Sequence, residues 1–79
     1  MSMRVTATFE YPHIKCCEYV VEDECHREFV VIDYSKYKIN SGIIEVHYRY
    51  SNKVILDPYI TDLIIKFIKN YIALKELSR

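Results

Sequence analysis

Residues 57–79, DPYITDLIIKFIKNYIALKELSR, decide the architecture. Placed at about 100° intervals, Asp62, Lys66, Lys69, Ala73 and Glu76 form one narrow polar strip of a helix. Ile60, Leu63, Ile64, Ile65, Phe67, Ile68, Tyr71, Ile72 and Leu74 take up most of the remaining circumference. Asp57 offers an N-cap oxygen and Pro58 fits the first helical position, so the spacing predicts a helix over 57–78. Lys75 and Arg79 fall where the negative end of the helix dipole favours cations. A helix on one sheet needs an apolar arc of little more than ~100°, and this one spans roughly twice that. The surplus points to a second copy of the chain and hence to a homodimer. Ile65, Ile68 and Ile72 are its expected helix residues.

Upstream of the helix the apolar period is two. Val5, Ala7, Phe9 and Tyr11 alternate with Arg4, Thr6, Thr8 and Glu10, which predicts a half-buried strand closed by Pro12. Residues 16–24 read as a strand through Tyr19-Val20-Val21, with Glu22-Asp23-Glu24 as a hairpin turn. A helix starting at Pro12, with Ile14, Cys17, Val21 and Cys25 on one face, is the alternative. Glu28–Tyr34 is apolar on both faces: Phe29 and Val31 point one way, Val30, Ile32 and Tyr34 the other. Such a strand is central or covered twice, and Val30 and Ile32 join the expected dimer contact. Asn40-Ser41-Gly42 holds the only glycine and reads as a turn. In the last strand Ile44, Val46, Tyr48 and Tyr50 are expected inside, with Glu45, His47, Arg49 and Ser51 outside. The fold class is therefore α+β: a small antiparallel sheet of about four strands within 4–56, and a long C-terminal helix on one face. The alternative order is β-α-β-β-α.

Seventy-nine residues make one domain. A chain this short buries only about 60–65% of its unfolded surface, so a partner subunit is a natural supplement. Half the residues are hydrophobic, with eight Tyr and three Phe. The zero net charge argues against non-specific nucleic-acid binding. Residues 1–34 nevertheless carry seven acids and three bases, and residues 35–79 eight bases and four acids. Met1 to Thr8 has no secretory apolar run, and Lys66, Lys69 and Asn70 interrupt the helix as a membrane span. The expectation is a cytoplasmic protein that does not enter a membrane, or one inside the host cell if the source is viral. The absence of Gln and the abundance of Ile, Tyr, Lys and Glu fit a thermophile or a virus.

His13, Cys16, Cys17, Cys25 and His26 invite a zinc reading. Adjacent Cys25 and His26 would point to opposite faces of a strand, so the spacing does not build a four-ligand site. No metal or cofactor is expected, and the thiols read as structural, with Cys17–Cys25 the pair a disulfide would join. The outward residues Glu45, His47 and Arg49, with Lys36, Lys38 and Lys53 nearby, form the largest charged group not committed to folding. Together these six make the candidate binding surface. The expected function is a small non-enzymatic interaction or regulatory protein that binds another macromolecule as a dimer, with an unidentified protein as partner. The alternative is a nucleic-acid-binding dimer using the basic strand face. A metal-independent nuclease with His47 as acid or base and Arg49 stabilising charge stands third.

Overall fold

The computed structural model describes residues 2–37, 42, 44–51, 55 and 57–78. Strands β1 (Met3–Tyr11), β2 (Cys16–Asp23), β3 (Glu28–Asp33) and β4 (Ile44–Tyr48) pair antiparallel in sequential order. A 3₁₀ turn at Ser35–Tyr37 follows β3, and one helix, α1 (Pro58–Leu77), packs on a single face of the sheet. The class is α+β. The order β-α-β-β-α is excluded because residues 16–23 are a strand, paired to a neighbour on each side.

Cys16, Cys17, Tyr19, Val20 and Val21 are all buried, so β2 has the two-sided apolarity of an interior strand, as β3 does. A helix from Pro12 would have buried Ile14, which instead lies exposed in the 12–15 turn. The Asp57 carboxylate accepts the Tyr59 N–H at 2.9 Å, and Pro58 occupies the first turn. Ile64 and Ile68 then lie fully buried over Tyr19, Val21, Phe29, Val31 and Val46. Ile60, Ile65, Phe67, Tyr71 and Ile72 pack half-buried around the same cluster. The wide apolar arc is therefore largely used inside one protomer, because the helix beds into its own sheet and against Ile55.

The β2–β3 turn is organised by Asp23, a buried carboxylate. It accepts the N–H groups of Cys25 and Arg27 at 3.0 and 2.9 Å and the Arg27 guanidinium at 2.8 Å. Burial alone would raise its pKa; the bonds from Arg27 and Cys25 outweigh that and hold it below the usual range. Cys25 sits in this turn, and the extended strand from Cys17 to Asp23 already spans ~20 Å at ~3.3 Å per residue. A disulfide needs Cα atoms about 4–7 Å apart. The Cys17–Cys25 bridge is thus ruled out, and all three cysteines are free thiols.

Truncating Ile68 to Ala should cost about 3 kcal/mol, the usual scale for a fully buried aliphatic residue. The same change at exposed Leu77 should stay within about 0.5 kcal/mol. Urea denaturation of the two variants checks this; equal losses would show that α1 does not bed on the sheet through Ile68.

Candidate functional site

One irregularity in β1 redistributes the surface. Val5 pairs with Val21, but Ala7 pairs with Val20, so two residues of β1 step against one of β2. Thr6 is the extra residue, its hydroxyl 3.4 Å from the Val20 carbonyl it donates to. A β-bulge moves every later side chain to the other face. Val5 packs on the helix-side core as expected, but Phe9 and Tyr11 do not. They emerge beside Glu18 and Cys16 on the face that α1 leaves open, 44% and 38% exposed, their rings stacked 6.4 Å apart. Thr8 and Glu10 take the helix side instead, opposite Tyr19 and Cys17.

The open face joins two surfaces that the sequence treats separately. Val30 lies directly opposite His47, and Ile32 directly opposite Glu45. Apolar β3 and charged β4 therefore share one side, and whatever covers one covers the other. Of the other expected dimer residues, Ile68 is fully buried within the protomer and has no surface left to offer, while Ile65 and Ile72 are half-buried. Strand β4 ends at Tyr48, so Tyr50 is not a core residue; it stands 82% exposed in the following turn. Tyr48 leans on Phe29 at the margin of the core, ring centroids 5.6 Å apart.

The charged candidates are largely spoken for. Arg49 is hydrogen-bonded to Glu28, and its guanidinium lies over the Tyr50 ring. Glu45 accepts the Tyr34 hydroxyl at 3.2 Å and is 3.9 Å from His47 Nε2. That nitrogen is buried and has no hydrogen-bond partner among the described residues. Lys36 belongs elsewhere, bonded at 2.6 Å to Glu10 on the helix side. Lys38 and Lys53 lie outside the described residues. His13 occupies the turn at one end of β2, and Cys25 and His26 the turn at the other. Among the described residues no three His, Cys, Asp or Glu side chains are placed to hold a metal ion.

A second feature had no sequence signal. Where α1 does not reach over β1, a hollow of about 570 Å³ opens on the helix side. Thr8, Glu10, Cys17 and Tyr19 form its floor, Ile72, Lys75 and Glu76 its helical wall, and Asp33, Ser35 and Lys36 its end. Hydrogen bonds from Lys36 and Tyr37 hold the Glu10 carboxyl below its usual range. The Asp33 carboxylate accepts both the N–H and the hydroxyl of Ser35 at 2.9 Å, fixing the 3₁₀ turn. Burial, and then the negative charge of Glu10, push the Cys17 thiol up, which makes it a poor nucleophile. The bulge that turns Glu10 inward is not visible in the sequence.

No family model matches the chain, and neither a curated protein nor a solved structure matches it. No helix among the described residues is long and apolar enough to cross a membrane.

Two phenols near the hollow titrate late. Burial raises Tyr19, and the hydrogen bond to Glu10 raises Tyr37, each from 10.0 to about 12. A raised folded-state pKa stabilises the protonated form, so this contribution is complete below about pH 10. It should be lost as pH climbs towards 12. Thermal melts should show stability falling across that window, with a shallower fall in Tyr37→Phe. An identical slope in the variant would show that the Tyr37–Glu10 bond does not persist in solution.

Proposed function

We propose that this chain is a small non-enzymatic interaction protein that acts as a dimer and binds another macromolecule. The observation that carries the reading is the open face of the sheet. One helix covers one side, and the other side carries partly exposed Phe9 and Tyr11 on β1 and half-buried Val30 and Ile32 on β3, with buried Val20 and Cys16 of β2 between them. An antiparallel sheet can leave one face to water, but that face is then normally polar. A two-fold partner seated on Val30 and Ile32 would remove this apolar strip from solvent and supplement a small core. The helix contributes less to the dimer than its composition suggests, since most of its arc is already packed.

The chemistry of the face favours binding over catalysis. His47 keeps its Nε2 buried, Arg49 is held by Glu28, and the Cys16 thiol is raised by burial. A nuclease would need that imidazole and that guanidinium free to reach a phosphodiester. Nucleic-acid binding draws little support for the same reason: Lys36 and Arg49 are each paired with a carboxylate.

Replacing Ile32 by Glu should turn the protein into a folded monomer, because Ile32 lies on the open side and is not part of the helix-side core. Light scattering at about micromolar concentration, with circular dichroism for folding, reads this out. A wild-type protein that is already a folded monomer would end the dimer reading.

A further inference from the structure

The two edges of the sheet differ. The outer side of β4 is partly occupied, since the Ile55 N–H donates to the Val46 carbonyl at 3.2 Å. The outer side of β1 is not: β1 pairs only with β2, and no other described backbone group bonds to it. It is nine residues long and contains no proline. Natural sheets blunt such an edge with lysines, prolines or a covering segment. Here the one irregularity, the bulge at Thr6, leaves the Ala7–Tyr11 stretch in regular pairing with β2.

The hollow of about 570 Å³ lies on the helix side of this same stretch, with Thr8 and Glu10 of β1 in its floor. Its volume is within the ~300–1,000 Å³ of ligand pockets. An exposed strand edge beside a hollow bounded by a helix is the arrangement that strand addition uses. Main-chain bonds supply affinity, and the hollow reads alternate side chains. Its charges point to the side chain it would take. Three carboxylates, Glu10, Asp33 and Glu76, border it against two ammonium groups, Lys36 and Lys75. Lys36 and Glu10 offset each other, Lys75 lies over the Tyr71 ring, 5.1 Å from its centroid, and with Asp33 and Glu76 the lining keeps one net negative charge. Glu76 has no hydrogen bond or ion pair among the described residues. The Tyr19 ring and Ile72 offer apolar wall for a long aliphatic stem.

We propose that β1 accepts an extended segment of a partner protein as a fifth strand, and that the hollow between β1 and the C-terminal end of α1 receives an arginine or lysine of that segment. The intervening side chains fall on the other face, beside the stacked rings of Phe9 and Tyr11, and are best apolar. This rests on the reading of the chain as an interaction protein, and identifies where and what it binds.

The test uses a short capped peptide of alternating arginine and valine, its fully N-methylated twin, and a twin with glutamate for arginine. Each is titrated into the isotopically labelled full chain and followed by amide chemical shifts. The first peptide should bind saturably, with shifts concentrated at Ala7–Tyr11 and at Ile72–Glu76. Each twin should bind at least about tenfold more weakly, a 1.4 kcal/mol difference. Glu76→Lys should weaken the first peptide about fivefold, the scale of a partly exposed ion pair. No saturable binding below about 1 mM would overturn the proposal. So would equal binding of the N-methylated twin, which would mean charge adsorption without strand pairing. Slow hydrogen exchange along β1 in the free protein would give the edge to a second copy instead. The peptide titrations do not bear on the Ile32→Glu result, so the groove and the dimer fail separately.

Discussion

A helix about 10 Å wide has to cover four strands spaced ~4.8 Å apart, and it cannot cover all of them. Most of what is distinctive in this protein follows from that shortfall. Ile64 and Ile68 seat α1 over the middle of the sheet, where Tyr19, Val21, Phe29, Val31 and Val46 supply a continuous apolar floor. Toward its C-terminal end the helix keeps contact through Tyr71, edge-on to Tyr19 at 6.0 Å, and leaves β1 uncovered. The hollow is the space the helix does not fill. The open face is the side on which no helix packs among the described residues.

The bulge at Thr6 adapts β1 to this situation. Without it, Phe9 and Tyr11 would project into the uncovered helix side, and Glu10 would stand on the open face. With it, the polar residues Thr8 and Glu10 line the hollow. Glu10 can sit there because Lys36 and the Tyr37 hydroxyl satisfy it from the 3₁₀ turn after β3. The consequence falls on the other face, where the Phe9 and Tyr11 rings emerge partly exposed.

Ion pairs between the two halves of the sequence offset part of their charge asymmetry. Glu10 meets Lys36, and Glu28 meets Arg49, each pair joining the acidic first half to the basic second half. Arg4–Glu22 and Arg27–Asp23 settle charges inside the first half. The surface is therefore less polarised than a count of residues implies. Of the basic residues near β4 that are described, Lys36 and Arg49 are each paired with a carboxylate.

The sequence by itself determined the α+β class, and strand pairing on both sides of residues 16–23 decided between the two element orders it left open. The Asp57-Pro58 start and the apolar residues on α1 are local signals, since a cap and a 3.6-residue period need nothing beyond the segment that carries them. The same is true of the alternation in β4 from Ile44 to Tyr48, and of the two-sided apolarity of β3. Only the tertiary structure decided which side each residue of β1 faces. One extra residue reverses the rest of the strand, and nothing in Val5-Thr6-Ala7 announces it before β2 is paired alongside. It also decided that Val30 and His47 share a face, because register belongs to two strands and not to either one. Last, it decided how much of the helix was surplus. Periodicity measures the width of an apolar arc, but how deep the arc beds depends on the shape of the sheet beneath it.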